Sequence, residues 1–221
     1  FKNNKSKLYI QGKFENMDFN FIGDFSKDNL TSSDVRYDKN LLTGCVNFFD
    51  SQFDQVSIKS LNMICEDSIN IKNSLGKLDN IQINNSSYDA LDIDFSKIFI
   101  QSLNVDNAQN DCLDFSFGEY VIVQAKLNNC GDKGISVGEN SKLSLNDGFI
   151  SRSNIGVASK DDAATNINNV KIDNINICLA AYNKKKEFKG SSINVKNLKC
   201  ERFVKKLQAD NLSKITISKE N

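Results

Sequence analysis

The stretch Asp89–Ser96, DALDIDFS, returns 22 residues later as Asp111–Phe117, DCLDFSF. That echo belongs to a period that runs through most of the chain. Ile69, Leu91, Leu113, Ile135, Val157 and Leu179 stand 22 apart, and Val46 joins them with one extra residue in its turn. Two positions later come Phe48, Ile71, Ile93, Phe115, Val137, Ser159 and Ala181. The position before the aliphatic column holds Cys45, Ser68, Ala90, Cys112, Gly134, Gly156, Cys178 and Cys200, all small. A fixed period of about 20–30 residues marks a solenoid, whose repeats bury their apolar faces on one another.

Apolar spacing inside the unit is two. Leu91/Ile93, Ile98/Ile100 and Leu103/Val105 form three short alternating runs, and Leu113/Phe115, Val121/Val123 and Ala125/Leu127 form the next three. Period two means strands with one buried face. Three strands and three turns per repeat describe an all-β chain, a right-handed parallel β-helix solenoid of about 22 residues per coil. Coils then stack at about 4.8 Å, and like residues form ladders. The small column marks the tight corner entering the first strand, where bulk would clash. Asn85, Asn107 and Asn129, continuing to Asn174 and Asn197, form a second ladder at the last corner, because asparagine tolerates tight-turn dihedrals and bonds to neighbouring corners.

The regular coils are expected over 46–200, preceded by a cap or degenerate coils over 1–45 and followed by a coil or cap over 201–221. Asp24–Lys39 reads as polar and turn-rich, and Asn183–Gly190 as a charged excursion whose default is a solvated loop. Zero net charge argues against non-specific nucleic-acid binding. Absence of histidine removes the commonest general base and zinc ligand. No apolar run is long enough to span a membrane. The chain opens on Phe1, which reads as a processed or trimmed piece. Four of the six cysteines sit in the small column, so they are expected mainly as small buried residues.

In the first strand of each coil, two columns point outward. One reads Asn47, Asn70, Asp92, Asp114, Ser136, Ala158, Ala180, and the other Phe49, Lys72, Asp94, Ser116, Gly138, Lys160, Tyr182. Asp92, Asp94 and Asp114 therefore share one exposed face. Asp89, Asp111 and Asp132 lie along its leading edge, with Lys72, Lys133 and Lys160 on its flanks. Stacked like charges repel, so protonation, a lysine or a cation must offset them. Three chemistries fit Asp92, Asp94 and Asp114. As oxygen ligands they suit Ca²⁺, which bridges to an acidic sugar. As a carboxylate pair they suit glycoside hydrolysis, Asp92/Asp94 near the inverting separation and Asp92/Asp114 near the retaining one. A flanking lysine with a lowered pKa suits proton abstraction in a lyase or epimerase. Asp89, Asp111, Asp132, Lys133, Ser116, Lys160 and Tyr182 are the candidate substrate contacts. The competing reading makes the aspartates ordinary polar surface, with Asp89 and Asp111 bonded to corner amides.

On these residues the coils resemble the PbH1-type parallel β-helix repeats of the pectate-lyase-like superfamily, which includes polysaccharide lyases, C5-epimerases, polygalacturonase-type hydrolases and phage tailspikes. DALDIDFS, NDCLDFSFG, GDKGISVGENS and NIGVASKDDA look like a narrower bacterial subgroup. The resemblance implies a substrate groove over the outward face of the first sheet. No catalytic set carries over. The histidine and Arg-Ile-Lys of polygalacturonase-type sites and the Asp-Pro-His-Glu of alginate epimerases are absent, and Arg152, the sole arginine in the regular coils, stands away from the first-sheet columns. Fold alone does not license an activity. The expectation is a secreted or cell-surface protein that engages polysaccharide along this face, with or without catalysis, and with other domains of a larger surface protein as further partners. The alternative is a non-catalytic structural module, a spacer, adhesin or assembly piece.

Overall fold

The computed structural model describes residues 7–23, 37 and 42–218. Nearly all of the polar stretch 24–39 lies outside them. The described elements are strands, and they pair in parallel. Short strands open the chain: β1 (Leu8–Ile10), β2 (Lys13–Glu15) and β3 (Asp18–Ile22). First-sheet strands then alternate with longer ones. These are β4 (Gly44–Phe49), β5 (Gln52–Met63), β6 (Asp67–Lys72), β7 (Leu75–Ser86), β8 (Asp89–Asp94), β9 (Lys97–Ala108) and β10 (Leu113–Ser116). From β11 (Glu119–Gly138) through β12 (Lys142–Lys160), β13 (Ala164–Tyr182) and β14 (Ser192–Ala209), each strand runs round the last corner into the next first-sheet segment, and β15 (Lys214–Ile217) closes the series.

The molecule is a parallel β-solenoid of about eight turns. The aliphatic column is one ladder. Leu8, Val46, Ile69, Leu91, Leu113, Ile135, Val157, Leu179 and Leu207 pair in order, so the parallel register reaches both ways beyond the regular repeat. Phe48, Ile71, Ile93, Phe115 and Val137 form the ladder beside it, fully buried. Each such aliphatic withdrawn from water stabilises the fold by about 1.5–3 kcal/mol. At the corner, a Cβ on Gly134 would sit 2.4 Å from Ile150 Cγ2, which is why the small column stays small.

The asparagine ladder is real and has a backbone cause. Asn62, Asn85, Asn107, Asn129, Arg152, Asn174 and Arg202 all have positive φ, so the column sits in the left-handed region. The amide of Asn85 donates to Asn62 at 2.8 Å, Asn107 to Asn85 at 2.9 Å, and Asn129 to Asn107 at 2.9 Å.

Three expectations need correction, two of them for one reason. The excursion at 183–190 lengthens its coil, so the next register step is 28 residues, as in Asn166 to Asn194. Asn197 therefore pairs with Asn169, outside the corner ladder, and Arg202 takes the corner. Cys200 likewise leaves the small column and pairs with Ile172. The cysteines are also not merely small fillers. Cys45–Cys65, Cys112–Cys130 and Cys178–Cys200 are disulfides. The first two are staples within a coil, joining the small column to Cys65, just past β5, and to Cys130, within β11. Three disulfides are compatible with an oxidising, extracellular setting.

Candidate functional site

Parallel register places the predicted face as expected in one respect. Asp92 lies beside Asp114 and Asp94 beside Ser116, with Asn70 and Lys72 on the preceding coil. Beyond them follow Ser136 and Gly138, then Ala158, Lys160 and Tyr182. The face differs in depth. Asn47, Ser136, Ala158 and Ala180 point outward by strand alternation yet are buried, while Asp92, Asp94, Asp114 and Ser116 are half-buried.

The leading-edge aspartates Asp89 and Asp111 bond to corner amides. Asp89 Oδ1 accepts the Asp111 amide at 2.7 Å and the Asn110 side chain at 2.6 Å, and Asp111 Oδ1 accepts the Lys133 amide at 2.9 Å. Both are buried. Asp67, which sequence reasoning overlooked, precedes them in the same ladder. Asp132 is not the next rung. Lys133 is, because its amide bonds back to Asp111, while Asp132 stacks between Asn110 and Asn154. Lys133 Nζ binds Asp111 at 3.3 Å and also Asp132. Burial alone would pull this ammonium down, but the two carboxylates outweigh it and hold it above its usual range. Burial and like charge raise the ladder carboxyls, Asp67 to about 7 and Asp89 to about 8. Burial raises Asp111 to about 6 against the pull of Lys133.

Asp92, Asp94 and Asp114 have no such amide cradle. Asp92 Oδ2 accepts the Asn70 side chain at 3.1 Å, and burial followed by the charges of Asp67, Asp94 and Asp114 pushes its pKa well up. Asp94 is also raised by burial, against Lys72 at 4.0 Å. Asp114 faces Lys160, whose Nζ lies 3.9 Å from Oδ1. The Lys160 stem passes over Gly138, where an added Cβ would lie 3.4 Å from Lys160 Cε, an ordinary van der Waals contact.

At this point three polar groups stand without protein hydrogen bonds. Asp114 Oδ1 and Ser136 Oγ are buried and unpartnered, and they belong to neighbouring strands in register. The Lys160 side chain is 6% exposed, and its ammonium has only the 3.9 Å approach to Asp114. Acceptor, hydroxyl and ammonium thus gather on one face. Tyr182 stands beside Lys160, its phenol raised by burial against the lysines.

The excursion 183–190 is a largely exposed loop, as expected, but it is tethered. Asp161 Oδ1 accepts the backbone amides of Lys184 and Lys185 at 2.6 and 2.8 Å, and Asp162 accepts that of Lys189 at 3.0 Å. Lys185 pairs with Glu139, which also accepts Ser116 Oγ at 2.6 Å. Burial alone would raise Glu139, but these partners hold its carboxyl below the usual range. The loop is therefore tied to the turn side of the face.

Several contributors were invisible in the sequence columns. Glu139 and Lys185 meet only because the excursion folds back. Phe95 and Phe117 occupy the left-handed turn slot, both at φ 49°, where the preceding coils have Asp50 and Asn73. Bulky residues rarely adopt that region, at a cost of about 1–3 kcal/mol. Their rings stack 4.7 Å apart and partly offset it. Lys72 lies 5.6 Å over Phe95, and Phe188 of the excursion lies 6.1 Å from Phe117. The 22-residue spacing of Phe95 and Phe117 was the available signal.

Calcium draws no support from this geometry. Each of the three carboxylates faces an amide or ammonium donor, and among the described residues no three His, Cys, Asp or Glu side chains converge as a metal site requires. No helix among the described residues is long and apolar enough to cross a membrane.

The fold defines the class, an all-β parallel β-solenoid. Comparison with family models, curated proteins and solved structures finds no match to this chain.

Proposed function

We propose that this solenoid engages polysaccharide on the outward face of its first sheet, with Asp92, Asp94 and Asp114 as the central contacts. The observation that carries the reading is the trio of Asp114 Oδ1, Ser136 Oγ and Lys160 Nζ, polar groups brought out of water with no hydrogen-bond partner in the protein. Such groups are costly unless a ligand or solvent hydroxyl completes them. A sugar hydroxyl both donates and accepts, and fits between an ammonium and a carboxylate. Ser116, Tyr182 and Lys133 border the same face, and the docked excursion walls its turn side. The resemblance to pectate-lyase-like repeats supports the same face. Asp92, its pKa raised by burial, stands one coil from Asp114, and acid–base glycoside chemistry uses such carboxyl pairs.

A second reading has its own observation. Asp89 and Asp111 are spent on corner amides, as in a solenoid whose ladders serve only to specify the stack. One experiment separates the two. A glycan array is screened with and without Ca²⁺, beside an absorbance assay for unsaturated products on uronic-acid polymers. Some glycan should bind and lose at least about tenfold in affinity, about 1.4 kcal/mol, when Asp92, Asp94 and Asp114 are together replaced by Asn. Silence across the array, or the lack of any glycan whose binding the triple substitution weakens, overturns the proposal and leaves the structural module.

A further inference from the structure

One groove of the described structure lies away from the aspartate face. It measures about 790 Å³ and crosses five coils on the outside of the long strands. Its two walls are ladders set by register. One runs Ser102, Gln124, Asp147, Asn169, Asn197, and the other Asn104, Lys126, Phe149, Lys171, Lys199. At about 4.8 Å per coil the track is about 19 Å long.

We propose that this groove is a second binding track, for a linear anionic polysaccharide lying along the solenoid axis. Charge argues for the anion. Lys126 and Lys206 line the groove without a carboxylate partner among the described residues, and Lys171 and Lys199 share the single carboxylate of Glu201, at 3.1 and 2.9 Å. Against these stands Asp147, whose carboxylate already accepts Asn169 at 3.0 Å and Asn146 at 2.9 Å. The opposite wall argues for a sugar. Asn169 donates to Asp147 and Asn197 to Asn169 at 2.9 Å, which uses one N–H of each amide and leaves the other for a ligand. Hydroxyls on a repeating chain suit such a row, since donors recur once per coil. Phe149, half-buried between Lys126 and Lys171, offers the apolar contact that a ring face needs.

The track is independent of the aspartate face, and its test is kept separate. Binding of fluorescent alginate and heparin oligosaccharides is measured at low and high salt, with neutral dextran and polyglutamate as controls. The probes are offered to the wild type, to a Lys126→Glu/Lys206→Glu variant, and to the Asp92→Asn/Asp94→Asn/Asp114→Asn variant. Both substituted lysines are exposed, so the fold is not at stake. An anionic oligosaccharide should bind, weaken with salt, lose about tenfold or more in the lysine variant, and be unaffected by the aspartate variant. No binding of either anionic sugar, or unchanged binding in the lysine variant, overturns the proposal. Equal affinity for polyglutamate overturns the polysaccharide assignment, since the groove then reads charge alone.

Discussion

Replacing Asp89 by asparagine should stabilise the protein, and only at neutral to alkaline pH. Asp89 is buried in register with Asp67 and beside Asp111. Burial first, and the charge of Asp111 second, raise its pKa from 3.8 to about 8. The folded chain therefore keeps a proton that the unfolded chain releases. The stability linked to that proton is fully present below the unfolded value and is lost as pH rises toward the folded one, at about 1.4 kcal/mol per pH unit. By about pH 7 the loss has a ceiling of about 4 kcal/mol. Asparagine has nearly the same shape, retains an oxygen for the Asp111 amide, and carries no charge. Asp89→Asn is expected to gain about 2–4 kcal/mol at about pH 7–8 and nothing near pH 4. For a domain of this size that raises the thermal midpoint by roughly 5–12 °C. Circular dichroism melts of both proteins at about pH 4, 6 and 8, with disulfides intact, read this directly. A wild-type midpoint that does not fall between about pH 4 and 8 would refute the reasoning. So would a variant that is less stable at every pH.

Two further outcomes follow from the ladders and staples. Asn107→Ala breaks two ladder hydrogen bonds and forces a non-glycine, non-asparagine residue into a φ of 68°, so it should cost about 2 kcal/mol by urea midpoint, with Asn107→Gly costing less because only the bonds are lost. Cys112→Ala/Cys130→Ala opens a staple whose ends are 18 residues apart and should lower stability by about 3 kcal/mol, measured against the untreated wild type. An unchanged midpoint would show that stacking alone closes that corner.

How far the sequence carried the argument depends on whether a feature repeats. The 22-residue period gave the strand, the corner and the coil, because stacking at a fixed spacing makes chemically similar residues neighbours without any knowledge of coordinates. The asparagine corner was legible for the same reason, and the structure links Asn85, Asn107 and Asn129 side chain to side chain. Asp92 and Asp114 were placed side by side by counting alone. The count failed where the period did. The excursion shifted every later residue, so Cys200 and Asn197 were assigned to columns that Lys206 and Arg202 fill in their place.

What the amino-acid sequence determined by itself is the stack: alternation of two within a period of 22 leaves an all-β parallel solenoid as the way to bury those columns. What only the tertiary structure decided lies between columns and across coils. The outward columns of the first sheet are buried or half-buried, not fully exposed. Lys160 crosses Gly138 to face Asp114, Lys185 folds back on Glu139, and cysteines on different strands join. Periodicity reports which residues share a ladder. It is silent on how far a long side chain leans, where an insertion docks, and how deep a face lies, because these depend on distances in the two directions that the one-dimensional repeat does not encode.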